Sequence, residues 1–238
     1  HVTVYDKGET LGGTFGVIAT GPFEKRIRDL ITWYGVQLNK LNVEVNLNTE
    51  INVDDSILEA ADKIFVGTGA IPFVPNIPGI ESPHVLGVVD AHKNGVQGEK
   101  VVVCGGGMSG CDTALELALE GKQVTIVEML SECARDVMVI NKISLMRQLA
   151  ENNVTLLTYS KVVSIDETGV TIEKKDGTVE LVAADTVITA FGQKPSTDFP
   201  DAVRKQYNIK TTVIGDAEKV SKAANAIHTG FYAAMAVE

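Results

Sequence analysis

The sequence predicts an α/β fold of two doubly wound units, one inserted in the other, and three observations carry that expectation. Residues 101–128, VVVCGGGMSGCDTALELALEGKQVTIVE, read as strand, glycine turn, helix, second strand and terminal acid. Two further apolar runs end in small residues, IFVGTGA at 64–70 and TVITAFG at 186–192. Two proline-bearing linkers separate the parts, one holding Pro72, Pro75, Pro78 and Pro83, the other at 193–201 holding Pro195 and Pro200. An outer domain of residues 1–97 and 193–238 and an inner one of 98–192 follow from these breaks.

The central unit has a physical task for each part. Lys100–Cys104 is a short β-branched run, and Gly105, Gly107 and Gly110 complete G-x-G-x-x-G at its exit. Gly105 permits a tight turn, Gly107 lets backbone approach a pyrophosphate, and Gly110 lets the helix pack on its strand. The N–H groups around Met108 and Ser109 then face phosphates at a positive helix end. Leu115, Leu119 and the alanines between them are expected as the helix's buried face, with Gly121 stopping it. Glu128 closes the second strand about 20 residues after the turn, where a carboxylate accepts hydrogen bonds from ribose hydroxyls. That carboxylate repels a 2′-phosphate, and Met129 and Leu130 offer no cation, the next basic residue being Arg135. NADH is therefore expected over NADPH. The inner domain is thus expected to be a Rossmann-like, three-layer dinucleotide-binding domain, and whether the outer one is a second such domain or carries a plain edge strand at residues 1–6 stays open on these residues alone.

Taken in order, residues 1–6 form a strand ending in Asp6, followed by Lys7-Gly8 and Leu11-Gly12-Gly13. This repeats the end of the central unit, with no strand and glycine turn before it. Residues 23–41 carry Ile27, Leu30, Ile31, Tyr34 and Leu38 at helical spacing. Val43, Val45, Leu47, Thr49 and Ile51 alternate as a half-buried strand, and 54–62 makes a helical turn or two. At Thr68-Gly69-Ala70 small side chains allow a backbone to approach a ligand. After the loop at 130–136, a helix through 141–152 carries Ile143, Met146 and Leu149, and a strand follows at 154–159. Residues 162–165, 169–174 and 178–182 form an antiparallel set turning at Asp176-Gly177. Residues 211–216 are a strand ending in Gly-Asp, and a small-residue helix follows with Ala226, Ile227, Gly230 and Ala234 on one side.

Composition narrows the function classes. Hydrophobic residues at 45% and charged residues at 22% are values of ordinary globular chains. A net charge of −10 and no long basic run argue against a nucleic-acid partner. No apolar stretch approaches the about 20 residues that span a bilayer, so no membrane association is expected. Cys104, Cys111 and Cys133 contain no C-x-x-C, which excludes a sequence-local dithiol motif and suits a reducing cytoplasm. His1, His84, His92 and His228 show no metal-ligand spacing. His1 is no initiator and no signal peptide follows it, so the chain is expected to be a piece of a longer polypeptide.

Five segments together resemble the two-dinucleotide-binding flavoproteins, the glutathione-reductase-like fold. They are VYDKGETLGG at 4–13, VGTGAIP at 66–72, VVVCGGGMSG at 101–110, ITAFGQKP at 188–195 and VIGDA at 213–217. The resemblance implies FAD in the outer domain and NAD(H) in the inner one. Asp6, with Lys7, resembles the acid at the FAD adenosine ribose. Gly12 and Gly13 resemble the turn near the cofactor, and Thr68 and Gly69 the strand exit beneath it. Asp216, after Gly215, matches the aspartate at a ribityl hydroxyl, and the helix bearing Ala226 and Ile227 points its N-terminus at the pyrophosphate. Gly192 joins the candidate cofactor-binding positions, and no catalytic or metal-binding residue is expected. The first strand and glycine loop of the FAD domain are missing from this pattern, and with them goes the main backbone cradle for the FAD pyrophosphate.

The stretches LGGTFGVIATGPFEKRIRDLITWYGVQL and ECARDVMVINKISLMRQLAENNV are similar to one branch. That branch holds 2,4-dienoyl-CoA reductase, 2-enoate reductase and related NADH:flavin oxidoreductases of the old-yellow-enzyme-related group. There an N-terminal barrel with FMN and an iron–sulfur cluster precedes this module, and electrons run from NADH through FAD to an activated alkene. Two alternatives stay open at this point. One is a non-catalytic dinucleotide- or ADP-binding scaffold. The other is an electron-input subunit like the small subunit of glutamate synthase.

Overall fold

The computed structural model describes residues 1–19, 24–135 and 137–237. The expected helix start at Phe23, the loop end at Asp136 and the terminal Glu238 lie outside these residues. The elements begin with β1 (Thr3–Tyr5), α1 (Gly13–Ile18), α2 (Lys25–Lys40), β2 (Glu44–Asn46), α3 (Ser56–Ala60), β3 (Ile64–Val66) and β4 (Ala70–Pro72). Next come β5 (Val85–Gly87), α4 (Val88–Asn94), β6 (Lys100–Cys104), α5 (Met108–Leu119), β7 (Gln123–Val127), α6 (Val139–Glu151) and β8 (Thr155–Leu157). The chain continues with β9 (Ser160–Asp166), β10 (Gly169–Lys174), β11 (Val179–Ala183) and β12 (Thr186–Thr189). It ends with β13 (Gln193–Pro195), α7 (Asp198–Tyr207), β14 (Thr211–Val213) and α8 (Ala223–Met235). The chain divides into two compact units. The first holds His1–Gly13, Leu30–Phe73 and Gln193–Glu238, and the second holds Thr14–Asp29 and Val74–Gly192.

The second unit is built on a parallel sheet in the order β5-β12-β6-β7-β8. Side chains alternate across a strand, so each strand feeds two cores. Val101, Val103, Val124, Ile126 and Ile188 pack with Cys111, Ala114, Leu115 and Leu117 of α5 and with Leu145 and Leu149 of α6. Val102, Cys104, Val127 and Val187 pack with Val162, Ile165, Val170 and Ile172 of an antiparallel sheet, β11-β10-β9. Helices, parallel sheet and antiparallel sheet therefore form three layers. The β10–β11 turn is closed by Thr178 N–H donating to Asp176 Oδ1 at 2.9 Å, with Gly177 at φ 84°.

The first unit contains three two-stranded pairs: β1-β2 and β3-β14, both parallel, and β4-β13, antiparallel. Ile64, Val66 and Val213 pack with Val203 of α7 and with Ala217. The Tyr207 hydroxyl donates to Val53 O at 3.0 Å, and Lys210 Nζ donates to Ala61 O at 3.0 Å. These long-range bonds tie α7 and its exit to the segments flanking α3.

Several sequence expectations change. The strand expected at 43–51 is only three residues long, because Asn48 turns the chain at φ 51° and its N–H donates to Gly8 O at 2.9 Å. The single strand expected over 64–70 is two, broken at Gly69 with φ 76°. Residues 193–201 are not a plain linker. Pro195 ends a short strand, and Pro200 sits in the first turn of α7, where a missing N–H costs no helical bond. Upstream, β5 hydrogen-bonds to β12, so the second unit's sheet begins before residue 98. Leu119 is 52% exposed and Leu117 takes the buried place on α5. Ile143 is likewise outside the core, at 62% exposure, while Leu149 on the same helix is fully buried.

That contrast is testable on one helix. Leu149→Ala should lower the unfolding free energy by about 3 kcal/mol. Ile143→Ala should change it by no more than about 0.5 kcal/mol. Thermal and urea unfolding of the two variants measures the difference.

Candidate functional site

The exit of β6 is shaped by contacts that only glycine permits. A Cβ on Gly105 would lie 2.3 Å from Ala190 O, and one on Gly110 would lie 2.0 Å from Gly105 O. The turn and the first coil of α5 are thus pressed together, backbone on backbone. Gly107 is different: nothing lies within 4 Å of where its Cβ would be, so its face is open. The first helical bond of α5 runs from Cys111 N–H to Gly107 O at 3.0 Å. The N–H groups of Met108, Ser109 and Gly110 precede that bond, at the end of a 12-residue helix where the dipole is positive.

Glu128 holds this turn in place. Its Oε2 accepts the Gly106 N–H at 2.7 Å and its Oε1 accepts the Leu130 N–H at 2.7 Å. Its own backbone is fixed on both sides, the N–H donating to Leu157 O at 2.9 Å and the carbonyl accepting from Ser160 N–H at 3.0 Å. The residue is only 9% exposed. A carboxylate has about four acceptor directions, so both oxygens keep capacity for further donors. Alongside it lies an open cleft of about 410 Å3 lined by Gly106, Gly107, Glu128, Leu130, Glu132 and Arg135. The Lys142 ammonium, 2.7 Å from Glu132, hydrogen-bonds that carboxyl and holds it below the usual carboxylate range.

Four of these residues, Gly106, Leu130, Glu132 and Arg135, were not among the expected site residues. Gly106 is an unspecified position in the glycine pattern, yet its N–H carries the bond to Glu128. Leu130 acts through its backbone, which no side-chain pattern reveals. Arg135 stood apart because of its distance along the chain, but the 130–135 loop folds back and sets it on the cleft wall. Arg135 therefore lines the same cleft as Glu128.

The remaining expected site residues fall in separate places. Gly192, at φ 92°, follows β12. In the first unit, Asp6 Oδ1 accepts Gly8 N–H at 2.7 Å, and Lys7 forms an exposed ion pair with Glu50 at 3.7 Å. Gly12 packs on Ile31, and Gly13 is open. Thr68 and Gly69 form the break between β3 and β4, where Gly69 O accepts Ser196 N–H at 3.2 Å. Gly215 N–H donates to Thr229 Oγ1 at 2.9 Å, and Asp216 Oδ1 accepts Ser221 N–H at 3.1 Å. Ala226 lies against Gly215, and Ile227 is 45% exposed. Asp6 and Asp216 each bond through one oxygen among the described residues, leaving the other as an acceptor.

Fold and turn together define an α/β protein with a parallel sheet of Rossmann type. Residues 8–230 match the model of the pyridine nucleotide-disulphide oxidoreductase family, and the chain belongs to that family. It is 31% identical to a protein named NADH oxidase from Thermoanaerobacter brockii, over 100% of this chain and 37% of that one. It is 30% identical to a cinnamate reductase from Clostridium sporogenes, over 97% of this chain and 35% of that one. Among solved structures, a 2-naphthoyl-CoA reductase in complex with 2-naphthoyl-CoA matches with a TM-score of 0.94. Identity there is 30%, over 100% of this chain and 36% of that chain. The chain thus spans little more than a third of the length of each of these three relatives. Among the described residues no helix is long and apolar enough to cross a membrane.

The Gly105–Gly110 contact makes a sharp prediction. Gly110→Ala should destabilise the protein by at least about 2 kcal/mol, since the added methyl meets backbone rather than a movable side chain. Gly107→Ala, facing open space, should leave the melting temperature nearly unchanged. Differential scanning calorimetry of the pair checks this.

Proposed function

We propose that this chain is the hydride-transfer module of a larger flavoenzyme, taking NADH in the second unit and FAD in the first. The observation that carries the reading is the open Gly107 face at the positive end of α5, with Glu128 fixed beside it. Backbone N–H groups of Met108 and Ser109 suit a pyrophosphate, and the Glu128 oxygens suit the adenosine ribose hydroxyls. In the first unit the unused oxygens of Asp6 and Asp216 suit ribose and ribityl hydroxyls, and the Gly12–Gly13, Thr68–Gly69 and Gly215 backbones allow close approach. When bound, the cofactors would supply the redox chemistry, a hydride transfer from the nicotinamide to the flavin. The protein's part is to bind, orient and exclude water, which needs no nucleophile and no obligatory proton donor.

The names of the relatives support a substrate class. The compounds named in cinnamate reductase and 2-naphthoyl-CoA reductase both carry an unsaturated system conjugated to a carbonyl group, and an activated alkene of the enoate or dienoyl-CoA type is the acceptor we infer. An N-terminal FMN barrel with an iron–sulfur cluster, elsewhere in the full protein, would relay the electrons. Glu128 favours NADH, and Arg135 on the same cleft makes the discrimination smaller than the carboxylate alone would.

The test is spectroscopic and calorimetric. With FAD supplied under anaerobic conditions, NADH should bleach the flavin absorbance. A flavin-loaded protein left yellow by saturating NADH would sink the proposal. In titrations, Glu128→Ala should weaken NADH binding about tenfold and narrow the gap to NADPH. Unchanged discrimination would remove Glu128 from the site.

A further inference from the structure

Beneath the glycine turn lie two thiols that the hydride transfer does not use. Cys111 is in the first turn of α5 and Cys133 is in the loop that follows β7, and both are buried. Both touch Gly106. The Cys111 Sγ lies 3.4 Å from Gly106 O, and the Cys133 Sγ lies 2.6 Å from where a Gly106 Cβ would be. Gly106 O also accepts the N–H of Ala134, the residue after Cys133, at 2.7 Å. Each of the two side chains shifts the other's ionisation, so they face one another across Gly106. Folding has thus built a dithiol from cysteines that no C-x-x-C spacing would join.

We propose that Cys111 and Cys133 are a redox-active pair, oxidised by hydrogen peroxide to an internal disulfide, and that this bond weakens dinucleotide binding at the turn above it.

The chemistry is asymmetric in the way such a pair needs. The Cys111 side chain facing it holds the Cys133 thiol below the ordinary cysteine range, and the Lys142 ammonium helps, against burial and the Glu128 carboxylate. The same pairing, burial and the nearby Asp112 carboxylate hold Cys111 above it, against the Ala134 N–H. Cys133 is thus the more readily ionised of the two and the one that attacks, with Cys111 the resolving thiol. Cys133 Sγ attacks one peroxide oxygen, the O–O bond breaks, and hydroxide leaves with a proton as water. Cys111 Sγ then attacks the resulting sulfenic sulfur, the S–O bond breaks, and a second water departs with the Cys111 proton. Two thiols and one peroxide give one disulfide and two waters. Access comes from the 130–135 loop, whose exposed Leu130 and Glu132 mark it as a surface cover, and such loops open far more readily than a core strand. Cys104 lies within β6, on the face packed against the antiparallel sheet, and burial pushes its thiol up to about 12. It is the built-in inert control.

The binding half of the proposal rests on the NADH reading above, whereas the disulfide half does not. The experiment treats the protein with hydrogen peroxide, then counts thiols in denaturant and maps peptides by mass. The expected result is loss of two of the three thiols, a Cys111–Cys133 cross-linked peptide lighter by two hydrogens, and reversal by dithiothreitol. Cys104→Ser should leave that cross-link intact. Sulfinic acid on Cys133 without a cross-link, or a disulfide through Cys104, would overturn the pair. NADH is then titrated into reduced and oxidised samples, with binding at least about tenfold weaker expected after oxidation. Equal affinities would overturn the coupling. A reduced protein that binds no NADH would instead count against the cofactor reading, and the cross-link would still decide the dithiol.

Discussion

The second unit depends on one buried carboxylate shared between two backbone N–H groups. Glu128 joins the middle of the glycine turn, through Gly106, to the chain that leaves β7, through Leu130. A charge-assisted hydrogen bond in a sheltered place is worth roughly twice a neutral one. Losing Glu128 would leave two donors unpaired as well as removing two bonds. The glycine turn is thereby fixed in one shape before any ligand arrives. That matters for function, because a preformed turn avoids the cost of ordering on binding.

The sheet explains why the turn sits where it does. Every strand of the second unit's central sheet runs the same way, and alternate residues of β6 face the helices or the antiparallel layer. With both faces covered, the place left for a ligand is the carboxyl end of the strands, where β6 hands over to α5 and β7 ends in Glu128. The near-collision of Gly105 with Ala190 and Gly110 then follows from packing the helix close to its strand. Fold and site are the same construction seen at two scales.

Much of this was legible in the residue order, and the exceptions have physical causes. The strand–turn–helix–strand of 100–128 is local, so periodicity and glycine spacing suffice to find it. The Asp176-Gly177 hairpin is equally local. Helix α7 was hidden by Pro200, which reads as a breaker until it is seen in a first turn. The exposure of Leu119 and Ile143 depends on which arc of each helix meets the sheet, and hydrophobic spacing alone leaves that arc uncertain by one residue. Arg135, Leu130 and the Cys111–Cys133 pair depend on how the 130–135 loop returns to the glycine turn. That return is a tertiary event, and the sequence shows only its ends.

The central claim is that a dinucleotide lies on the open face of the glycine turn that Glu128 holds. Amide hydrogen exchange, measured with and without NADH, addresses it most directly. The account predicts slower exchange at Gly106, Gly107, Met108, Ser109 and Leu130 on adding NADH, with the β9–β11 layer unchanged. Bound NADH that left these amides unprotected, or protected only the first unit, would contradict it.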